Sequence, residues 1–158
     1  MKHASGDSAW DRPAAVIGRF DLHLGVLASC WVLRSNLRNG YLARPGYSLA
    51  VYAGWLQIVL RDSAEASRTV ELALEWGEKV PDPVHGPRLD MHVHGVLRPF
   101  WMRRRPSLAA LTRISETMRE IGDLEYAYYA RFLHAAYGAL AGSPVRETDR
   151  TLLELVDA

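Results

Sequence analysis

The side chains with the clearest capacity for chemistry are three histidines in the middle of the chain, His85, His92 and His94. Imidazole is a common ligand for zinc and copper, so this grouping raises a metal site as one hypothesis. If the surrounding residues are helical, however, positions two apart point about 200° apart around the axis, and His92 and His94 cannot grip one ion. No cysteine accompanies them. We therefore predict exposed or interhelical histidines, with no bound metal and no cofactor.

A second group consists of four arginines, Arg98, Arg103, Arg104 and Arg105. Such a cluster could bind phosphate or an acidic partner. A solvated helix end explains the same pattern, because positive charge is favoured at the C-terminal end of the helix dipole. A nucleic-acid site would need exposed aromatic residues and a wider basic face, and acidic residues follow closely in sequence, so we expect no nucleic-acid partner.

A third group is aromatic, with Tyr126 and Tyr129 accompanied by Tyr128 and Tyr137. Tyrosine gives a large contact area at little entropic cost, so these residues could line a groove for a peptide. Packing between helices is the alternative explanation. We take Tyr126 and Tyr129, together with the four arginines, as the predicted interaction surface for a protein partner.

Catalytic patterns are missing from the sequence. The acidic run Glu116, Glu120, Asp123 and Glu125 could supply paired carboxylates, but helix caps and solvent-facing positions explain each of these residues separately. The chain has no Gly-x-x-x-x-Gly-Lys loop and no His-Arg-Asp catalytic loop, and no Ser-His-Asp or Cys-His arrangement is supported by spacing. We predict that this segment is not an enzyme.

Length and composition limit what elements can position these residues. The 158 residues suffice for one domain or for about four helix pairs, and 49% apolar residues indicate a folded chain. The 19 basic and 18 acidic residues leave a charge of +1, too balanced for the global basic footprint of a nucleic-acid binder. The N-terminus is polar, so we expect no signal peptide, no membrane span and a cytoplasmic location.

Apolar residues recur with helical spacing throughout, and no strand-like alternation is found, so we predict an all-α fold of about seven helices. Pro99 interrupts the fourth helix and predicts a kink there. The first helix carries an apolar stripe that includes Leu24, Leu27 and Trp31. The predicted helices span 13–36, 47–61, 63–79, 87–103, 107–121, 124–140 and 145–157.

The order of these helices predicts a repeat. A nearly all-apolar helix is followed by an amphipathic one at 47–61 with 63–79, at 87–103 with 107–121, and at 124–140 with 145–157. Each pair occupies roughly 34 to 44 residues, as in tetratricopeptide-like helical hairpins that stack into an α-solenoid. A plain helical bundle is the alternative. We expect a flexible segment over 1–12 and a helical-repeat domain over 13–158, truncated at its C-terminal end.

Three stretches carry a family resemblance: 101–108 (Trp-Met-Arg-Arg-Arg-Pro-Ser-Leu), 120–130 (Glu-Ile-Gly-Asp-Leu-Glu-Tyr-Ala-Tyr-Tyr-Ala) and 140–142 (Leu-Ala-Gly). With the apolar pattern around them they resemble the helical-repeat region of large bacterial signalling ATPases, over about residues 35–142. In that family a serine/threonine-kinase-like domain and an AAA-type ATPase module precede a tetratricopeptide-like stretch. GAF and histidine-kinase or cyclase domains often follow it.

The resemblance implies a non-catalytic scaffold or regulatory segment that contacts proteins or neighbouring domains of the same polypeptide. Because none of the family's catalytic motifs occurs here, no active-site residue can be carried over. The alternative hypothesis is a stand-alone helical metal- or ligand-binding protein that uses His85, His92 and His94.

Overall fold

The structure is a computed structural model that describes residues 22–39, 45–101, 104–144, 146, 148–150 and 153. These residues form helices and turns with no strand, which confirms the predicted all-α fold. The helices are α1 (Leu22–Asn39), α2 (Pro45–Ile58), α3 (Ser63–Lys79), α4 (His85–Met91), α5 (Arg104–Glu120) and α6 (Leu124–Leu140). The backbone of α4 continues as a π turn (His92–Leu97) and a 3₁₀ turn (Arg98–Phe100).

Two predicted helices have the predicted bounds, 63–79 and 124–140, and the others differ by a few residues where they are described. The segment 1–12, the first part of the predicted helix 13–36 and most of 145–157 lie outside the described residues. The predicted kink at Pro99 takes the form of the π turn and the 3₁₀ turn.

Aspartates begin two of the helices. Asp62 starts α3: its carboxylate accepts the N–H of Glu65 at 3.0 Å, and its carbonyl accepts the N–H of Ala66. Asp82 acts in the same way before α4, where its Oδ1 accepts the N–H of both Val84 and His85. These bonds satisfy backbone donors that the first turn of a helix leaves without a partner.

Glycine ends α5 in a conformation that other residues avoid. Gly122 has a φ of 79°, its N–H bonds the carbonyl of Arg119, and the N–H of Asp123 bonds the carbonyl of Met118. This is the Schellman pattern, which satisfies the last carbonyls of a helix. The same bonds recur after α6 around Gly142. The chain can therefore reverse direction between α5 and α6 with a short loop.

The chain divides into two compact units, Met1–Trp76 and Gly77–Ala158. In the first, α1 packs against α2, and Asn36 donates a hydrogen bond to the Ser48 hydroxyl at 3.2 Å. The apolar side chains buried in this unit are small or branched; on α1 and α2 they are Val32, Leu33, Leu49, Ala50, Ala53 and Leu56. The described part of the predicted stripe on α1, Leu24, Leu27 and Trp31, is exposed instead.

In the second unit α5 and α6 pack along each other, and α4 with the π turn contacts α5. The predicted hairpin 87–103 with 107–121 is therefore in contact, but the most extensive packing joins two helices assigned to different predicted hairpins. The solenoid arrangement stays a prediction. The core of this unit consists of residues from three helices: Met91, Ala110, Leu111, Ile114, Met118, Ala127 and Ala130.

Pro99 explains why the helix loses its regular form. Proline has no N–H, so it cannot donate to the carbonyl four residues earlier, that of Gly95. The Tyr137 hydroxyl donates to this carbonyl instead, from the opposite helix. Gly95 also permits close packing, because a Cβ there would lie 2.7 Å from Cδ1 of Leu133. A side chain of α6 thus supplies the hydrogen bond that the proline cannot form.

Tyr137→Phe is expected to lower the free energy of unfolding by about 1–2 kcal/mol, because it leaves the Gly95 carbonyl without its donor. In a Pro99→Ala background position 99 regains an N–H, and the same change should cost less than half as much. Chemical denaturation of the four proteins in this cycle measures the difference. An equal cost in both backgrounds would contradict the assignment.

Candidate functional site

A cleft of about 460 Å³ lies in the second unit, between α4 with its π turn and α5. One wall presents Gly86, Asp90 and His94, which are four residues apart and share a helix face. The other wall presents Arg113 and Thr117 with the same spacing. A volume of this size falls within the range of small-molecule sites. The cleft is therefore the candidate binding site of the second unit.

Asp82 lies at the edge of the cleft and is held in place by its own capping bonds. Its Oδ1 accepts the N–H of Val84 at 2.8 Å and that of His85 at 2.7 Å, and Nδ1 of His85 lies 3.1 Å away. Desolvation alone would raise the pKa of Asp82, but these hydrogen bonds and the imidazole outweigh it, and the pKa lies below its usual value. The carboxylate of Asp82 is thus negatively charged and serves to cap the start of α4.

His94 is a neutral group near two positive charges. Nη1 of Arg98 lies 3.1 Å from its Nε2. Desolvation, with smaller contributions from the charges of Arg98 and Arg113, lowers the pKa of His94 to about 4. The imidazole is therefore uncharged at neutral pH, where it can accept a hydrogen bond from the guanidinium.

Asp90 and Arg113 supply opposite charges from facing walls. Desolvation raises the pKa of Asp90, and the positive charge of Arg98 opposes this effect. Neither Asp90 nor Arg113 forms a direct ion pair or a hydrogen bond through its side chain with any other described residue. Both side chains line the cleft, so each can interact with a bound molecule.

The cleft combines hydrogen-bond donors and acceptors, but its described lining residues include no nucleophile placed beside a general base. A nucleophilic site needs such a pair within hydrogen-bond distance. The arrangement is suited to the binding of a polar molecule.

The predicted arginine cluster is only partly described. Arg98 lies beside the cleft, in contact with His94. Arg103 lies outside the described residues, and Arg104 and Arg105 belong to the first turn of α5, with their side chains outside the described part. The prediction that these residues form one interaction surface therefore stays a prediction.

The two predicted tyrosines belong to a different cluster. The ring of Tyr126 lies edge-to-face with that of Tyr129 at 6.1 Å, and the guanidinium of Arg88 sits 4.7 Å from the centre of the Tyr126 ring. Nε of Arg88 also donates to Asp123 at 2.7 Å. Tyr126 packs against the core, whereas Tyr129 is more exposed. Tyr126 therefore serves packing, and Tyr129 presents part of its ring at the surface.

The three histidines have different environments. His85 is buried beside Asp82, and His94 lies in the cleft. Desolvation lowers the pKa of His92 to about 4. In the part of the chain that the structure describes, no group of three or more His, Cys, Asp or Glu side chains is arranged to hold a metal ion.

Sequence reasoning did not identify Asp90, Arg113 or Arg88 as site residues. The sequence does contain a pattern that points to Asp90: Asp90, His94 and Arg98 follow one another at intervals of four residues and so share a helix face. No such pattern includes Arg113. It belongs to the cleft because of how α5 packs, and contacts between helices cannot be read from local spacing.

No family model matches the chain, and the searches of curated proteins and of solved structures returned no match. Among the described helices none combines the length and the apolar character needed to cross a membrane.

Proposed function

We propose that the chain is a non-catalytic helical-repeat segment that mediates contacts with other proteins or with neighbouring domains of its own polypeptide. We place it in a bacterial signal-transduction ATPase or kinase, in the cytoplasm. The contact function is supported by the two faces of α6. The signalling context is supported by the resemblance at 101–108, 120–130 and 140–142 alone.

The face of α6 that is buried consists of small residues, Ala127, Ala130, Ala135 and Gly138. Small side chains allow α5 and α6 to approach closely. The opposite face carries large apolar side chains, with Tyr129 38%, Phe132 51% and Leu140 63% exposed. These three positions lie within one sector of the helix, and we call them the outer stripe of α6.

A helix at the surface of a globular protein normally places its large apolar residues inward and its polar residues outward. In α6 some large residues, among them Tyr126, Leu133 and Tyr137, pack along the edge of the core, but the outer stripe points outward. It therefore offers apolar area that only another element could remove from water. Exposed large apolar side chains that share one helix face are typical of interaction sites. Interior helices of repeat arrays have the same character, because each is covered by the next repeat.

The outer stripe can be tested by its accessibility in cells. In a chain with Cys30→Ser, the variant Phe132→Cys places a thiol on the stripe, and Glu116→Cys places one on the exposed side of α5. If a partner covers the stripe, a membrane-permeable maleimide should label position 132 at least about tenfold more slowly in the native host than in the purified chain. Position 116 should label at similar rates in both.

Equal labelling rates at position 132 in cells and in the purified chain would overturn the proposed contact function. Slowing at both positions would also count against it, because general shielding does not single out the stripe. The signalling context has a separate test in the complete reading frame. A frame that encodes neither a glycine-rich phosphate loop nor a kinase catalytic loop contradicts that part of the proposal.

No observation favours the alternative of a metal- or ligand-binding protein that uses His85, His92 and His94 together. His85 interacts with the capping Asp82, while His94 contacts Arg98 in the cleft. His85 and His94 therefore have different partners in the described structure.

A further inference from the structure

We propose that the cleft between α4 and α5 binds a free α-amino acid, with the ligand carboxylate on Arg113 and the ligand ammonium on Asp90. This inference goes beyond the contact function of α6 and does not depend on it. It rests on the side chains that line the cleft and on their charges.

The first argument is the separation of charge. Asp90 belongs to the wall formed by α4, and Arg113 belongs to the wall formed by α5. The two side chains do not form a direct ion pair with each other, although both line the same cleft. A molecule that carries a negative and a positive group can bridge them and supply each with a partner. A guanidinium binds a carboxylate through two parallel hydrogen bonds.

The second argument is the balance of charge. Arg113 is positive and Asp82 and Asp90 are negative among the lining residues, and the positive Arg98 contacts His94, whose imidazole is neutral. For a simple anion the attraction of the two guanidinium groups is offset by the repulsion of the two carboxylates, and for a simple cation the reverse holds. A zwitterion can place each of its charges beside a group of the opposite sign.

The third argument is the shape and the chemistry of the remaining surface. The volume of about 460 Å³ lies at the lower end of the range for small-molecule sites. Apolar and small residues, Pro81, Pro87, Ala110 and Ile114, complete the lining beside the charged groups. Such a surface can contact an aliphatic side chain while the charged groups fix the orientation. An α-amino acid has both parts.

The test is titration of the full chain, observed by two-dimensional ¹H–¹⁵N NMR, with each of the standard L-amino acids. Acetate and methylammonium serve as probes that carry only one of the two charges. We expect at least one amino acid to shift the amides of Gly86, Asp90 and Thr117 saturably, with a Kd of about 1 mM or tighter. Both single-charge probes should bind at least about tenfold more weakly.

Arg113→Gln should raise the Kd at least about tenfold because it removes the guanidinium that holds the carboxylate. Arg119→Gln is the matched control, since Arg119 lies on the same helix but lines a different groove, and it should leave the Kd unchanged. Asp90→Asn should weaken amino-acid binding while it strengthens acetate binding. The dispersed spectrum of each variant reports that it is folded.

Three results would overturn the proposal. The first is that no amino acid produces saturable shifts at concentrations up to about 10 mM. The second is that acetate binds as tightly as the best amino acid, which would indicate a carboxylate site without recognition of the ammonium. The third is that the folded Arg113→Gln variant binds the amino acid with an unchanged Kd.

Discussion

Arg88→Met is expected to lower the free energy of unfolding by about 4 kcal/mol, the largest effect we predict for a single substitution. Arg88 and Asp123 are paired at 2.7 Å, and their side chains are only 15% and 11% exposed. Removal of the guanidinium leaves the carboxylate of Asp123 enclosed without its partner. An unpaired charge in such a place costs several kcal/mol. Urea denaturation of the full chain, followed by circular dichroism, measures the loss.

The position of the Arg88–Asp123 ion pair increases the loss of stability that we expect for Arg88→Met. Asp123 immediately precedes α6, and its backbone carbonyl accepts the N–H of Ala127 at 3.0 Å. Arg88 also lies over the ring of Tyr126, a contact that methionine replaces only in part. The substitution therefore weakens the attachment of α4 to the start of α6 as well as the ion pair.

Two further proteins separate these contributions. Arg119→Met is the matched control: this arginine is exposed on α5, and its replacement should change the free energy of unfolding by less than about 0.5 kcal/mol. Arg88→Met combined with Asp123→Asn should recover part of the loss, because it removes the enclosed charge. A loss below about 1 kcal/mol for Arg88→Met alone would contradict the prediction.

Acid is expected to destabilise the fold through two histidines that are neutral in the folded chain. Between pH 7 and pH 4 we expect the free energy of unfolding to fall by about 4 kcal/mol through His92 and His94 together, with allowance for the solvent contact that both rings retain. Desolvation lowers the pKa of each histidine from 6.5 to about 4. Urea denaturation at a series of pH values measures the dependence.

The sign follows from the protons bound in each state. Below pH 6.5 the unfolded chain protonates these histidines, while the folded chain holds them neutral down to about pH 4. The unfolded state then binds more protons, so acid favours it. Stability is full above about pH 6.5, falls progressively between about pH 6.5 and pH 4, and loses nothing further through these groups below about pH 4. Asp82, whose pKa lies below 3.8, contributes only at lower pH, and the raised pKa of Asp90 acts in the opposite sense.

Substitution of the histidines tests the assignment. His92→Gln and His94→Gln should each remove about half of the loss between pH 7 and pH 4, and the double variant should remove nearly all of it. An acid loss that is unchanged in the double variant would show that other groups are responsible.

The sequence predicted those helices best whose ends carry their own signals. Asp62 before α3 and Gly122 after α5 act through bonds to residues a few positions away, so local spacing is sufficient. The side chain of Asp123 makes no capping bond to α6 and pairs with Arg88 instead. The outward direction of Leu24, Leu27 and Trp31 could not be predicted. The stripe has helical spacing, but which face of α1 is buried depends on how α2 packs, and there the buried side carries Val32 and Leu33.

The same distinction applies to the candidate site. Arg98 and His94 could be singled out from the sequence, because both are chemical groups in a short stretch of chain. Arg113 joins them from another helix, and the pairing of Arg88 with Asp123 spans 35 residues. Such contacts arise from the packing of different helices, so they cannot be predicted from local spacing or from composition.

The bond from Tyr137 to the carbonyl of Gly95 also fixes the register of two helices. A shift of α6 along its axis by one turn, about 5.4 Å, would take the hydroxyl out of reach and leave an unsatisfied acceptor. Apolar packing alone tolerates such a shift far better, because the buried face of α6 presents similar small side chains on successive turns. Pro99 therefore helps to fix the position of α6 along its axis relative to the turn that contains Gly95.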